Sequence, residues 1–561
     1  MLRLRFCLRN LIRPAAGLAC LVAAALFCRT ATAEEASYPH LAKHGTATQL
    51  IVDDRPLLIL GGELGNSEAS SAEVLETIWP RLVELHLNTV LVPAYWDLIE
   101  PAEGKFDFKL VDAALDGARR HKLHVVFLWF GSWKNSMSCY APAWVKSDPE
   151  RFPRSQTRDG RGIEILSPFS EENVKTDARA FATLMRHLRE VDGDKHTAVM
   201  VQVENEIGMI PEARDWSAAA TKAFNSPVPN ELMVALAKRK SELTPELREQ
   251  WSHSNFRAKG TWQEVFGECP AVEEIFMAWH FARYTNRVAE AGKAEYPLPT
   301  FVNAALVRPG YAPGKYPSAG PLPHLFDIWR VAAPSIDFLA PDIYFPNFAE
   351  WCRKFARPGN PLFIPEASRG SRAAGYAFYV FGQHDAIGLS PFAIDQLVET
   401  QRQPLSKSYE LLTTLAPLIA AHQGNGAMAG VAPDVPFDGS EAPKQQVVRL
   451  GHYVLTATFE KPATPSNFPG LDAGQSVSGG LLINTAKDEF LIAGTGIVVT
   501  FATELPDETR AGLLSVEKGR LDGRQFIATQ PLGGDETHQG RHVRIPPGEF
   551  SVQRVRLYCY E

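Results

Sequence analysis

Two glutamates stand where apolar segments of the sequence end. Glu206 comes two residues after the run 197–204, and Glu366 closes the run 361–366. A carboxyl group delivered by an apolar segment is costly to bury unless it is solvated, paired or used in a reaction. Two such groups could serve as a nucleophile and as a general acid that later becomes a general base.

Paired carboxyls of this kind hydrolyse glycosidic bonds. The retaining reaction needs two carboxyl groups about 5–5.5 Å apart, whereas the inverting reaction needs a wider gap that admits a water molecule. The sequence does not measure that gap, so both reactions stay open at this point.

Eight short apolar runs alternate with amphipathic segments and supply the strands that must position these carboxyls. Continuous apolar character is typical of strands buried on both faces of a parallel sheet. The runs are 57–64, 88–94, 124–130, 197–204, 299–304, 336–344, 361–366 and 386–392. Their alternation with helices predicts an α/β fold, a (β/α)8 TIM barrel. Strands four and seven of such a ring lie nearly opposite each other, so the two carboxyls can face each other across its mouth.

The domain organisation follows from changes in this pattern. We expect the barrel to occupy residues 34–420, with a helical insertion at about 210–298 that exceeds the usual loop and helix between two strands. Residues 421–561 consist of short strand-like runs separated by Gly, Pro and Asp, which predicts a smaller all-β, sandwich-like C-terminal domain. No Gly-rich nucleotide-binding motif follows any of the runs.

The N-terminus has the pattern of a secretory signal peptide. Four arginines precede the apolar stretch 15–28, and Ala31-Thr32-Ala33 provides a cleavage site of the A-x-A type. We therefore expect residues 1–33 to be removed, the mature protein to be secreted or periplasmic, and no membrane span to remain.

Composition excludes other classes of function. With 57 basic and 64 acidic residues the net charge is −7, which argues against a nucleic-acid partner. The seven cysteines form no CxxC motif and no close Cys/His cluster, so we predict no metal site.

Three motifs resemble those of a known family. The segment 202–208 (QVENEIG) is similar to the strand-four motif of glycoside hydrolase family 35 β-galactosidases, with Ile207 in place of the usual Tyr. The segment 100–108 (EPAEGKFDF) resembles a loop of families 35 and 42, and 141–145 (APAWV) resembles another family 35 segment. The resemblance extends to a bacterial secreted subgroup with a β-rich C-terminal domain, within the retaining (β/α)8 clan.

The resemblance implies roles for individual residues. Glu206 matches the acid/base, Glu366 the nucleophile, and Asn205 the residue that binds the sugar 2-hydroxyl. Tyr344 is in a position to hydrogen-bond the nucleophile, and Asn135 stands where many members carry a Glu that binds galactose. The remaining candidate substrate-binding residues are Glu63, Tyr95, Trp133 and Asn303.

The function implied is that of an exo-acting retaining β-galactosidase without cofactor. Its partner would be a carbohydrate, a terminal β-galactoside of an oligo- or polysaccharide such as a xyloglucan fragment from plant cell walls. Two alternatives stay open, another retaining β-glycosidase (a glucosidase or mannosidase) and a non-catalytic carbohydrate-binding barrel. The oligomeric state is not predicted.

Overall fold

Residues 37–460, 477–504 and 509–561 are described by the computed structural model, and the predicted signal peptide at residues 1–33 lies outside these ranges. The described chain begins with a three-stranded antiparallel sheet that the sequence did not predict. Its strands are β1 (His40–His44), β2 (Ala47–Val52) and β3 (Arg55–Leu57).

Eight parallel strands then close a barrel, and a two-stranded antiparallel ribbon is inserted between the third and fourth of them. In chain order the strands are β4 (Ile59–Glu63), β5 (Thr89–Tyr95), β6 (His124–Phe130), the ribbon strands β7 (Arg154–Gln156) and β8 (Gly162–Leu166), then β9 (Ala198–Val203), β10 (Thr300–Ala305), β11 (Phe338–Ile343), β12 (Phe363–Ala367) and β13 (Gly388–Pro391). The barrel closes because β13 pairs with β4. Each barrel strand coincides with one of the eight predicted runs, and the predicted fold class is confirmed.

Helices connect and surround the barrel strands. They are α1 (Ala72–Glu84), α2 (Trp96–Ile99), α3 (Lys109–Arg120), α4 (Ala143–Lys146), α5 (Glu171–Asp192), α6 (Ala218–Phe224), α7 (Asn230–Lys238), α8 (Pro245–Ser252), α9 (Trp262–Phe266), α10 (Pro270–Glu295), α11 (Phe326–Ala332), α12 (Phe348–Phe355), α13 (Ala373–His384) and α14 (Glu399–His422). Short 3-10 helices lie at Glu68–Ser70, Pro323–Leu325, Ile394–Gln396 and Gly534–Thr537. None of the helices in the described ranges is both long and apolar enough to cross a membrane.

Local sequence fixes where these helices begin. At the start of α1 the Ser71 hydroxyl accepts a hydrogen bond of 3.3 Å from the backbone N–H of Val74, and Glu73 lies in the first turn, where its negative charge suits the helix dipole. The same capping by Ser170 starts α5. Both helices have amphipathic sequences, so their apolar faces pack on the barrel.

Helices α6 to α10 form the long connection between β9 and β10. The buried helix α10 supplies Phe281 and Tyr284, whose rings lie against Trp133 at centroid distances of 5.3 and 4.5 Å. Trp133 follows β6, so this connection packs directly beneath the mouth of the barrel.

The C-terminal region forms two antiparallel sheets. Its strands are β14 (Met428–Val431), β15 (Gln445–Leu450), β16 (Tyr453–Phe459), β17 (Gly479–Ala486), β18 (Glu489–Thr495), β19 (Ile497–Thr503), β20 (Arg510–Asp522), β21 (Gln525–Leu532), β22 (Val543–Ile545) and β23 (Ser551–Tyr560). The six-stranded sheet has the order β14-β17-β18-β23-β20-β21, and the four-stranded sheet has the order β15-β16-β19-β22. Apolar side chains of both sheets share one core, which includes Tyr453, Phe490 and Val555. The boundary at residues 420 and 421 stays a prediction.

Candidate active site

The two predicted carboxyls meet at the mouth of the barrel. Glu206 follows β9 and Glu366 lies in β12, and both side chains are buried. A carboxyl oxygen of each, together with one of Asp342 at the end of β11, lies within 4.8 Å of the other two. The ring places β9 and β12 on opposite sides, as the strand count predicted, so three separate strands deliver this cluster of carboxyls.

Three donors converge on Glu366. The Tyr344 hydroxyl donates to Oε2 at 2.6 Å, and the side-chain amides of Asn205 and Asn303 donate to Oε1 at 3.1 and 3.3 Å. These hydrogen bonds reach both oxygens and hold the carboxyl group in a fixed orientation. The structure thus brings together four of the residues that the sequence analysis named.

The surroundings of Glu206 favour the protonated form. Burial, and next the negative charge of Glu366, raise the pKa of Glu206 to about 7, against the opposing effect of the Lys134 ammonium. The side-chain amide of Asn135 donates to Oε2 at 2.6 Å, and the Glu206 backbone N–H donates to Oδ1 of Asn303 at 2.9 Å. A carboxyl group that titrates near neutrality can both give and take a proton under ordinary conditions.

Asp342 is a residue of the site that the sequence analysis missed. The Asn303 amide donates to its Oδ2 at 2.7 Å, and burial together with the charges of Glu366 and Glu206 raises its pKa well above the ordinary value. Its signal was present in the sequence, since it is a carboxyl inside the apolar run 336–344. Asn303 therefore joins all three carboxyl-bearing residues through one side chain.

Glu63 and Lys134 complete the charged groups at the mouth. Glu63 ends β4 and is fully buried, and burial, then the charges of Glu366 and Glu206, raise its pKa well above the ordinary value. Lys134, which the sequence analysis did not single out, follows β6 and is 4% exposed. Although burial acts to lower the pKa of Lys134, the neighbouring carboxyls raise it overall, so the ammonium stays charged.

The backbone next to the two predicted catalytic carboxyls is strained. Left-handed φ angles occur at four non-glycine residues, Asn135 (50°), Ser136 (66°), Glu204 (61°) and Glu206 (45°). Such angles are unfavourable for residues with a Cβ and persist only where the surroundings hold them. Hydrogen bonds join the segment that contains Asn135 and Ser136 to the segment that contains Glu204 and Glu206. The Asn205 N–H donates to the Trp133 carbonyl at 3.1 Å, and the Ser136 hydroxyl donates to the Glu206 carbonyl at 3.0 Å.

Glu204 is a buried residue next to the site, and its side chain positions a neighbouring segment. Its Oε2 accepts a hydrogen bond of 2.8 Å from the Trp133 backbone N–H, which fixes the segment that carries Asn135. Burial and the carboxyl of Asp177 raise the pKa of Glu204 well above the ordinary value. Asp177 is itself held by Trp129, whose indole N–H donates to it at 2.9 Å.

Two predicted substrate-binding residues make their contacts away from the carboxyl cluster. The Tyr95 hydroxyl donates to the Asn66 carbonyl at 2.8 Å. The Trp133 ring is fully buried against α10, and it is the backbone of Trp133 that reaches Asn205 and Glu204. Their predicted roles in sugar binding stay predictions.

Two clefts adjoin the carboxyl cluster at Tyr344. One, of about 440 Å³, is lined by Asn66, Arg369, Phe392 and Gln396 among others. The second, of about 230 Å³, is lined in part by Phe348, Arg372 and Tyr376. Tyr344 is 45% exposed while its hydroxyl reaches Glu366, so it connects the buried carboxyls with both clefts.

The carboxyl cluster also has spacing that a divalent cation could use. The donor set argues for a different chemistry. Asn303 and Tyr344 already direct hydrogen-bond donors at these carboxyls, and Lys134 already supplies a positive charge among them. This set of groups suits acid–base and nucleophilic chemistry.

Comparison with known proteins agrees with this chemistry. Residues 66–267 match the family model of the β-galactosidases of glycoside hydrolase family 42. This part of the barrel is therefore similar to the β-galactosidases of that family. The match includes Glu206 and ends before Glu366, and it is to family 42, whereas the motifs of the sequence analysis resemble family 35, a member of the same retaining clan. Residues 405–544 match a domain of unknown function.

Several solved structures are similar in fold. The β-galactosidase of Rahnella sp. R3 has 15% identity and a TM-score of 0.44, with 65% of this chain and 58% of that chain covered. The β-galactosidase of Halorubrum lacusprofundi has 16% identity and a TM-score of 0.43, with coverages of 63% and 58%. The β-amylase catalytic domain of Paenibacillus polymyxa has 12% identity and a TM-score of 0.43, with coverages of 61% and 94%. The match thus spans less than two thirds of the length of these β-galactosidases, and no curated protein matches the sequence.

Proposed function

We propose that this protein is a retaining, exo-acting β-galactosidase. One observation carries the proposal: carboxyl oxygens of Glu206 and Glu366 lie within 4.8 Å of each other, with Glu206 in surroundings that favour its protonated form and Glu366 held by the Tyr344 hydroxyl. This distance supports a retaining pair, whose carboxyls lie about 5–5.5 Å apart, over an inverting pair, whose carboxyls lie about 6.5–9.5 Å apart.

The first half of the reaction transfers the glycosyl group to the enzyme. The Glu366 carboxylate attacks the anomeric carbon, the bond to the leaving oxygen breaks, and Glu206 gives its proton to that oxygen. Asn205 lies within hydrogen-bond distance of Glu366, which suits a residue that also binds the sugar 2-hydroxyl. Tyr344 keeps its hydrogen bond to Glu366 until the carboxylate reacts.

The second half releases the sugar. Once Glu366 is an ester it no longer carries the negative charge that raises the pKa of Glu206, so that pKa falls and Glu206 becomes a carboxylate base. It takes a proton from water, the resulting hydroxide equivalent attacks the anomeric carbon, and the ester bond to Glu366 breaks. Two inversions leave the configuration of the sugar unchanged.

The family match supports galactose as the sugar that is released. The natural substrate that carries this galactose is a separate part of the proposal. The predicted signal peptide suits a secreted or periplasmic enzyme that acts on large carbohydrates outside the cytoplasm. Terminal β-galactosyl groups on xyloglucan fragments would meet this description. The two clefts that meet at Tyr344 give room for the rest of such a chain.

The test is hydrolysis of a panel of nitrophenyl α- and β-glycosides by the mature protein, with NMR detection of the first anomer released. We expect selective cleavage of the β-galactoside, release of β-galactose first, and a loss of at least about 10³-fold in Glu366→Ala. Release of α-galactose first would contradict the retaining mechanism. Preference for another β-glycoside would replace galactose and keep the mechanism, whereas equal activity of the variant and the parent protein would contradict the site.

A further inference from the structure

Glu63 is a buried carboxyl group that the proposed reaction does not use. It is 0% exposed at the end of β4, and neither of its oxygens has a hydrogen-bond partner in the ranges that the structure describes. Nearly all buried polar groups in folded proteins are hydrogen-bonded, because an unpaired one destabilises the fold. An unpaired carboxyl at the C-terminal end of a barrel strand therefore points to a ligand as its partner.

Lys134 approaches the same space from another strand. It follows β6 and is 4% exposed, and its ammonium lies 4.9 Å from the centroid of the Phe130 ring. Of the charges that act on Lys134, that of Glu366 is the strongest, followed by those of Glu63 and Glu206. An ammonium group offers three donors and no acceptor, so it complements a carboxyl that can accept.

The order of strands places these two residues in the same arc of the barrel, between the strands of the reacting pair. β4, which carries Glu63, is separated from the nucleophile strand β12 only by β13, while β6, which precedes Lys134, pairs with the acid/base strand β9. A pyranose whose anomeric carbon lies between Glu366 and Glu206 can therefore direct its remaining hydroxyls toward Glu63 and Lys134.

The balance of charge limits what kind of sugar fits. Besides the Glu366 carboxylate, the carboxyls of Glu63, Glu206 and Asp342 all have a raised pKa, and Lys134 supplies one positive charge. Four carboxyls thus lie near a single ammonium. An acidic sugar would bring a further negative charge beside them, with no second positive charge to offset it among the residues named here.

We propose that Glu63 and Lys134 form a hydroxyl-binding pair that holds the non-reacting hydroxyls of a neutral glycone. Glu63 serves as an acceptor and, in its protonated form, also as a donor, and Lys134 serves as a donor. This inference rests on the proposed function, whose reacting carboxyls define where the sugar lies. It adds a specificity determinant: the pair selects neutral hexosides over the corresponding uronides.

The experiment combines enzyme variants with modified substrates. kcat/KM is measured for nitrophenyl β-galactoside and its 3-, 4- and 6-deoxy analogues with the parent protein, Glu63→Ala, Glu63→Gln and Lys134→Met. For at least one hydroxyl we expect removal to lower kcat/KM of the parent protein by about 10- to 100-fold, in the range of a hydrogen bond to a charged or buried group. The same removal should lower kcat/KM of the matching variant by less than about 3-fold, because the partner is already gone.

Two variants separate binding from general damage to the fold. Glu63→Gln keeps a donor and an acceptor and should retain activity within about 10-fold, whereas Glu63→Ala should not. Glu274→Gln alters another buried carboxyl, in α10, and should leave every deoxy effect at its parent value. Deoxy effects that are the same in the parent protein and in all variants would overturn the proposal, and so would a β-galacturonide cleaved as fast as the β-galactoside.

A binding measurement keeps this test separate from the test of activity. Calorimetric titration with galactose and with galacturonate is run on the same proteins. If no glycoside is hydrolysed but galactose binds the parent protein and not Glu63→Ala or Lys134→Met, the pair stands and the proposed activity fails. If hydrolysis is normal and both variants bind galactose as the parent does, the activity stands and the pair is overturned. Absence of both hydrolysis and binding overturns both proposals.

Discussion

The hydroxyl of Tyr344 donates a hydrogen bond of 2.6 Å to Oε2 of Glu366, although the tyrosine as a whole is 45% exposed. Burial, and the negative charge of Glu366 and Asp342, raise the pKa of Tyr344, which favours the protonated hydroxyl that donates this bond. One side chain therefore holds the carboxylate in place and forms part of the wall of the adjoining clefts.

Replacing Tyr344 by Phe should reduce the rate of the chemical step more than substrate affinity. A hydrogen bond to a charged group contributes about 1.5–3 kcal/mol, so we expect kcat to fall by about 10- to 100-fold with KM changed less than about 3-fold. Steady-state kinetics on nitrophenyl β-galactoside measures the effect. Tyr311→Phe, which alters another exposed tyrosine, is the control and should match the parent protein. A Tyr344→Phe protein with unchanged kcat would show that the hydrogen bond does not assist the reaction.

The value of kcat/KM should fall on the alkaline side of its pH profile, near the pKa of Glu206, which is about 7. The acid must be protonated in the free enzyme, so activity declines as pH rises through that value. Lys134 acts to lower this pKa, and its replacement by Met should therefore move the alkaline limb to higher pH. A limb that moves to lower pH would contradict the assignment of Glu206 as the acid.

Replacing Glu206 by Ala should reduce the rate to an extent that depends on whether the leaving group needs a proton. Loss of a general acid reduces the rate about 10²- to 10⁴-fold for a poor leaving group and much less for a dinitrophenolate. Added azide should then restore turnover and yield β-galactosyl azide, because azide replaces the activated water on the intermediate. Formation of the α-azide would instead indicate that Glu206 is the nucleophile.

Asn303 binds the backbone N–H of Glu206 and the carboxyls of Asp342 and Glu366 through one amide. Asn303→Ala should therefore lower kcat by about 10²-fold or more, since several positioning hydrogen bonds are lost at once. Asn286→Ala is the matched control, because Asn286 is also buried and accepts a hydrogen bond of 2.8 Å, from the Ser335 N–H. Both variants should lose thermal stability, and only the first should lose activity. Equal kcat in the two variants would leave Asn303 with a structural role alone.

Glu63→Gln should stabilise the protein, and more so as pH rises. The pKa of Glu63 is raised in the fold, so its contribution to stability is complete below the unfolded pKa of about 4.3 and is lost as pH rises through the folded pKa. Between the unfolded and the folded pKa, this proton lowers the free energy of unfolding of the parent protein by up to about 1.4 kcal/mol per pH unit. The Gln variant lacks the titrating group and does not show this loss. Urea unfolding at pH 5 and pH 8 measures the difference.

Glu274→Gln should show the opposite dependence. Burial acts to raise the pKa of Glu274, but hydrogen bonds with His324 and Tyr316 lower it overall. The contribution of Glu274 to stability is therefore present above its unfolded pKa and is lost as pH falls through its folded pKa. The variant should be less stable than the parent protein at pH 8 and approach it under acidic conditions. The same sign of change in both variants would contradict the assignment of opposite shifts.

Hydrophobic patterning was enough to predict the barrel and its reactive strands. Each apolar run had to become a buried parallel strand, because only such a strand covers both of its faces, and counting the runs placed Glu206 and Glu366 on opposite strands. The sequence of strand β20 has no clear period, because its residues are mostly half-buried and are interrupted by Gly512 and Gly519. The strand forms because β21 and β23 pair with it on both sides.

The environment of each carboxyl was decided by the tertiary structure. Lys134 looks ordinary in the sequence, and only the closure of the ring brings it and Asp342 beside Glu206 and Glu366. Burial and neighbouring charge set the pKa values of the site, and both depend on groups far apart in the chain. Residue types and their order thus determined which groups could react, whereas folding alone decided which of them hold a proton and which stay unpaired.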